Sequence, residues 1–420
     1  MKTYKVLIVL FFPIFLLQCA SESSNTQTPE KVEETPETNQ LIVEAESFNS
    51  SSDSITKTDI ITLDSNNWAV YQIEIPETGR YRVSILGSAA QESLVWIEDY
   101  INNKDGRTYD ITGKIGLTIE DQMQFSSKDG SPLQKGTHDI KLHSAKGLVN
   151  IDKIKFELIQ KHTETPTTMK QNMEGTEWAL VWSDEFETNG LPDSSKWAYN
   201  IGNWGWGNNE LQYYTKNQTE NARVEDGNLV IEAHEQPDGS WTSARLSTQG
   251  KTSFTYGKIE FKAKVPKGRG TWAAGWLLGD AYRDEVSWPY CGEIDVLECV
   301  GYEINDTTEH GLNHATCHTR AYYFKQGNQI GSEIELDSME SKFHVYAVEW
   351  YPNEIKGYLD GEHYFTYDKT ADELEWPFNN PQNIIVNLAI GGGWGGAQGL
   401  DPELKAPKFI LDYVRVYELK

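Results

Sequence analysis

Three carboxylates, Glu293, Asp295 and Glu298, crowd the stretch GEIDVLE at residues 292–298. They are interspersed with Ile294, Val296 and Leu297, residues that favour a half-buried strand, where an ionised acid is costly unless function requires it. Side chains on a strand alternate between faces, so Glu293 and Asp295 share one face while Glu298, at odd spacing, belongs to the other. A β-bulge at Val296 or Leu297 adds one residue and returns Glu298 to the face of its partners. The expectation is therefore three acids on one concave face. Two glutamates across a cleft are the equipment for cleaving a glycosidic bond, and retention of configuration needs carboxyls about 5–5.5 Å apart. Like charges at such range make one carboxyl hold its proton near neutral pH, as a general acid must, while Asp295 between them tunes their charge. A solvent-exposed strand edge carrying three acids is the plainer alternative.

The rest of the chain must supply that cleft. Its 420 residues suffice for two or three domains, and a net charge of −26 argues against nucleic acid as a partner, because phosphate binding needs a basic surface. The 14 Trp and 21 Tyr are available either for the core or for stacking on flat apolar faces such as sugar rings. Residues 176–420 carry strand-and-turn spacing with little helical periodicity and no fixed repeat, which predicts one all-β domain and argues against a propeller or solenoid. Residues 41–160 contain short alternating runs, such as 70–75 and 81–86, divided by the turn Pro76-Glu77-Thr78-Gly79, and predict a smaller β-sandwich. Residues 161–175 read as a short linker. Residues 20–40 are polar and acidic with almost nothing to bury, as expected of a disordered tether. Residues 1–19 combine Lys2 and Lys5 with an apolar run that is short for a membrane span and ends at Cys19, a secretory pattern.

Several segments in order resemble glycoside hydrolase family 16, laminarinase-like members above all: WSDEF at Trp182, GWGNNELQYYT at Gly205, ENARVEDGNLVIEA at Glu220, SARL at Ser243, FTYGKIEFKAKVPKGRGTW at Phe254 and WPYCGEIDVLE at Trp288. The resemblance implies a β-jelly roll with an open cleft on its concave face, acting on β-1,3-glucan. It assigns Glu293 as nucleophile, Glu298 as acid and then base, Asp295 as the group that steers the nucleophile, and His318 as a neighbour able to donate to a carboxylate. It implies sugar contacts from Asn209 and Arg245 and stacking platforms from Trp272, Trp276 and Trp288. A structural calcium is implied at Glu185, Gly227 and Asp412, with no cofactor for catalysis. Other specificities in the family, mixed-linkage β-1,3-1,4-glucan among them, and a non-catalytic glucan-binding role are the competing readings; the intact acid trio speaks against the last.

The first sandwich resembles a family 6 carbohydrate-binding module in Glu44-Ala45-Glu46, in PETGRYRV and in Asn150-Ile151-Asp152. That likeness implies calcium ligands at Glu44, Glu46 and Asp152 and a sugar hydrogen bond from Asn150. Trp68, Trp96 and Tyr100 are its candidate platforms, while Phe125 stands where such modules often place Trp. The N-terminus resembles a bacterial lipoprotein signal, with Gln18 departing from the usual small residue, and implies lipidation at Cys19. A membrane anchor follows, in the bacterial cell envelope, on an outer-membrane lipoprotein at the cell surface or facing the periplasm. With Cys19 lipidated, Cys291, Cys299 and Cys317 remain; Cys299 and Cys317 are the pair that adjacent strands could bring together. The chain is expected to be a monomer.

Overall fold

A computed structural model of the chain describes residues 40–52, 55–102, 107–117, 119, 122–162, 167–280 and 288–420. Cys19 and the acidic tract of residues 20–39 lie outside the described residues, as does the side chain of Tyr100.

Two apolar cores explain two bodies. In the first, strands such as Trp68–Ile75 and Gly136–Lys146 alternate buried and open positions, so Tyr71, Ile73, Ile140 and Leu142 turn inward while Trp68, Lys141 and His143 turn outward. The result is a sandwich. One sheet runs in the order Gln40–Glu44, Val149–Lys161, Gly79–Ala89, Gln124–Leu133, with Ile61–Leu63 also on Val149–Lys161. The other runs Ser50–Ser51, Trp68–Ile75, Gly136–Lys146, Ser93–Asn102, Arg107–Asp110, with Ile115–Leu117 on Ser93–Asn102.

The second body is a larger, mostly antiparallel sandwich, the all-β domain that the strand spacing predicts and the jelly roll that the family resemblance implies. Its nine-stranded sheet follows the order Thr167–Lys170, Thr252–Thr255, Gln382–Ile390, Thr271–Gly279, Glu293–Val300, Gly311–His318, Ile330–Leu336, and Arg245–Ser247 adds on Gln382–Ile390. An eight-stranded sheet built on Gly257–Lys264 and Lys408–Leu419 backs it, with Phe261, Trp350, Ile384 and Val414 in the shared core.

The linker expected at 161–175 is in part a strand: Thr167–Lys170 pairs parallel with Thr252–Thr255. Its threonines are β-branched and suit an edge, and Met169 packs against the core, but the polarity of the segment hid this. Cys299 and Cys317 form no disulfide, which corrects the expected Cys299–Cys317 pair. Cys317 stands opposite Ile294, whereas the Cys299 thiol donates to Asn313 Oδ1 at 3.4 Å, so the two lie at different heights along neighbouring strands.

Residues 39–420 form one compact unit, so the two sandwiches are in contact. Tyr213 donates its hydroxyl to Asp129 Oδ2 at 2.6 Å, and Asp129, nearly buried, also receives Arg82. The approach is close enough to demand glycine: at Gly202, with φ of 124°, an added Cβ would stand 2.6 Å from the Asp129 carbonyl oxygen. Replacing Gly202 by Leu should part the two bodies, read as a larger radius of gyration in solution scattering with unchanged far-ultraviolet circular dichroism.

Candidate active site

The acid strand Glu293–Val300 pairs with Thr271–Gly279, and its register jumps: Gly275 faces Leu297, but the next residue, Trp276, faces Asp295. Val296 is thus the extra residue. The bulge turns Glu298 to the same side as Glu293 and Asp295, and all three line one cavity of ≈ 360 Å³. Asn313, fully buried on the next strand, holds the bulge in shape. Its amide nitrogen donates to the Val296 carbonyl at 3.1 Å, and its Oδ1 accepts the Glu298 backbone N–H at 3.0 Å. The hydroxyl of Tyr364 completes its bonding at 2.8 Å.

Indoles orient the glutamates. Trp288 Nε1 donates to Glu293 Oε2 at 3.0 Å and Trp272 Nε1 to Glu298 Oε1 at 3.1 Å. Trp276 instead donates to Asn387 Oδ1 at 2.8 Å, and Asn387 donates on to the Tyr214 hydroxyl, which reaches Glu210 at 3.2 Å. The Arg245 guanidinium lies 4.7 Å from the ring centres of both Trp206 and Trp276, with Nε donating to Asn200 Oδ1. Stacked between two indoles, its charge faces the cleft, with no ion pair to a carboxylate among the described residues.

Burial sets the protonation. It raises Glu293 to about 7, with Arg245 and the Trp288 N–H drawing it back. It raises Glu298 to about 8, and the Glu293 charge adds to the effect. Asp295 is pushed well above the usual carboxylate range by burial and by both glutamates. Burial also pulls His318 down to about 4, so this ring is neutral at working pH. His318 Nε2 stands 3.4 Å from Asp295 Oδ2 and 3.8 Å from Glu293 Oε1. Asp295 Oδ2 and His318 Nδ1 are buried without a hydrogen-bond partner, positions that a bound sugar or water can fill.

The cavity therefore gathers Glu293, Asp295, Glu298, Arg245, Trp272, Trp276 and Trp288. It does not gather Asn209, which sits exposed at φ 58° in a turn; its neighbours Asn208 and Glu210 line the cavity instead, a correction of one position. Such a turn reverses which of three successive polar residues points inward.

A scan against protein-family models matches residues 209–414 to "Glycosyl hydrolases family 16". A β-glucanase of Rhodothermus marinus is 49% identical over 249 residues, covering 57% of this chain and 85% of that protein. This chain belongs to glycosyl hydrolase family 16. A glucan endo-1,3-β-glucosidase of Cryptopygus antarcticus is 35% identical, covering 54% of this chain and 85% of that one. The crystal structure of the laminarinase from Rhodothermus marinus superposes with a TM-score of 0.54 at 47% identity, covering 58% of this chain and 98% of that one.

Within this family 16 fold, residues 200, 208, 210, 313 and 387 were not singled out from sequence. Glu210 and Asn387 had a signal: each is a polar side chain set into an apolar or aromatic strand context, NNELQYY and NIIVNLA. Asn313 had none, because its role depends on a bulge in the neighbouring strand.

The expected calcium ligands divide. Glu46 Oε2 is a buried, unpartnered oxygen, as a cation site would present, while Glu44 and Asp152 both turn to the Lys153 ammonium, at 3.3 and 3.4 Å. Glu185 takes a bidentate grip from Arg415 at 2.9 and 2.8 Å, and Asp412 pairs with Lys262. Those two carboxylates are already matched by cations of the chain, so the set Glu185, Gly227 and Asp412 does not fit calcium as it stands. Among the described residues, the group that brings three ligand-type atoms within 4.8 Å is Glu293, Asp295 and His318, of which the two acids line the cavity and His318 stands behind them.

Two outcomes test the site. Asn313→Ala should lose about 1–3 kcal/mol of stability from the stranded groups, measured by denaturant unfolding. It should also lose turnover by about 10²-fold, because the bulge that sets the carboxyl geometry relaxes. The pH profile should be a bell placed higher than ordinary carboxylates allow: activity falls on the acid side as Glu293 takes a proton and on the alkaline side as Glu298 loses one, with limbs near the values given above. A profile with both limbs at the usual carboxylate range would contradict it.

Proposed function

We propose that the chain is a retaining, endo-acting glycoside hydrolase that cleaves β-1,3-glucan. The observation that carries the reading is the Val296 bulge, which sets two indole-held glutamates and a buried aspartate into one cavity. In the first step ionised Glu293 attacks the anomeric carbon while Glu298 donates its proton to the departing glycosidic oxygen, leaving a glycosyl ester on Glu293. In the second, Glu298, now a carboxylate, removes a proton from water, whose oxygen displaces Glu293 and restores the original configuration. Asp295 and neutral His318 position the nucleophile. Trp276 and Arg245 hold the sugar beside it, with Trp272 and Trp288 as further aromatic walls.

Outside the cleft, the proposal includes a lipid anchor at Cys19 that places the protein in a bacterial cell envelope, at the outer membrane. It also includes a carbohydrate-binding-module-like first sandwich. The buried Glu46 oxygen supports a calcium there; Glu44 and Asp152 would exchange Lys153 for the ion.

The test is product analysis over time on laminarin, lichenan and agarose with protein lacking residues 1–19. Laminarin should yield mixed oligosaccharides early, the others little; cleavage of lichenan alone would move the specificity to mixed linkages. Glu293→Gln should lower turnover by at least about 10³-fold while laminarin binding persists. Undiminished hydrolysis by that variant would remove Glu293 from the role of nucleophile.

A further inference from the structure

The cavity that holds the three acids is not lined by the catalytic sandwich alone. Arg80, Trp96, Glu98, Asp110 and Pro132 of the first sandwich form part of its wall, beside Trp204, Trp206 and Arg245. On the strand Ser93–Asn102, Val95 and Ile97 enter the first core, so Trp96 and Glu98 occupy the outer face of their sheet. In a sandwich on a free tether that face would be open to water. Here Glu98 is only 6% exposed and lines the cavity together with residues of the catalytic body. The contact is built in detail: Tyr213 bonds Asp129, and a Cβ added at Gly113 would overlap the Trp204 carbonyl.

The chemistry on this wall suits a sugar. Trp96 is partly exposed and stacks on His143 with ring centres 4.3 Å apart and planes 9° from parallel. His143 Nε2 is 2.8 Å from Glu98 Oε1, which fixes both. Arg80 is 3% exposed, lies 5.5 Å over the Trp206 ring, and has a buried Nη1 with no partner. A flat apolar face, an acceptor and an unsatisfied donor are the three elements that hold a glucosyl ring. The row continues away from the cavity, since His143 stands in register with Trp96 on one side and with Trp68 on the other.

We propose that the first sandwich supplies glucan subsites continuous with the catalytic cleft, Arg80, Trp96 and Glu98 holding a glucosyl unit beyond the one held at Arg245 and Trp276, and the His143–Trp68 row guiding the chain outward. This rests on the glucanase reading above and extends it. The first sandwich then acts as one end of the active site and sets how many glucosyl units are gripped on that side. The Asn150 region, on the other sheet at the opposite end of the Gly79–Ala89 strand from Arg80, has no part in this track.

Calorimetric binding of laminaritriose and laminarihexaose to the full protein carrying Glu293→Gln, with and without Trp96→Ala, tests this. Loss of one stacking face should weaken the hexaose about tenfold and the triose by less. In the active background, Trp96→Ala should raise KM for the hexaose by the same factor with kcat nearly unchanged and shift the positions at which the hexaose is cut; Trp96→Phe should restore both. Equal hexaose affinity with and without Trp96 overturns the track and leaves the glucanase reading intact. A kcat loss that Phe does not rescue overturns it as well, marking Trp96 as structural. No hexaose binding by the Glu293→Gln protein with Trp96 intact removes the glucan reading and the track together.

Discussion

Everything in the catalytic body serves to bury three carboxylates on one side of one strand. A regular strand cannot do this, because alternation sends Glu298 to the apolar interior, where a charge is untenable. One inserted residue, Val296, resolves the conflict, and its consequences spread. The facing strand is slim at that point, with Gly275 approached to 3.0 Å by Phe261 from the backing sheet if it carried a Cβ. The next strand contributes Asn313, whose side chain replaces ladder bonds that the bulge removes. Jelly-roll curvature and acid geometry thus meet in a single irregularity.

The electrostatics follow from the same burial. Three acids in close range cannot all ionise, so the site keeps protons that ordinary carboxylates shed, and a neutral histidine adds no competing charge. Arg245 is the counterweight. Because it is held by ring faces and Asn200, its charge acts across the cleft and favours ionised Glu293 without neutralising the pair outright. Glu210, Tyr214 and Asn387 extend that order to Trp276, so a sugar meets a wall whose polar atoms already have assigned partners.

Much of this was legible in residues and spacing. The odd interval between Asp295 and Glu298 implied a bulge, and the structure places it at Val296. The all-β class followed from strand spacing and the jelly roll from a family likeness. What escaped was of a different kind. Asn209 and Asn208 are equivalent in sequence and differ only through a turn at φ 58°. Asn313 acts through a neighbour's backbone. Thr167–Lys170 has a linker's composition and becomes a strand because a sheet edge is there to receive it. That Glu98 and Arg80 share a cavity with Trp206 and Arg245 is invisible in either sandwich alone, since contacts between two sandwiches leave no periodic mark in a chain.

The edge strand at Thr167–Lys170 bears on where the catalytic body can be cut. It lies outermost in the nine-stranded sheet, with its backbone spent on Thr252–Thr255 and the amide of Gln171 on the Thr255 carbonyl. A chain begun at Trp178, the first residue of the strand Trp178–Asp184, would leave Thr252–Thr255 as a bare ladder of donors and acceptors, an invitation to self-association. The catalytic sheet therefore takes its outermost strand from before Trp178, and that short strand doubles as a cover for the Thr252–Thr255 edge.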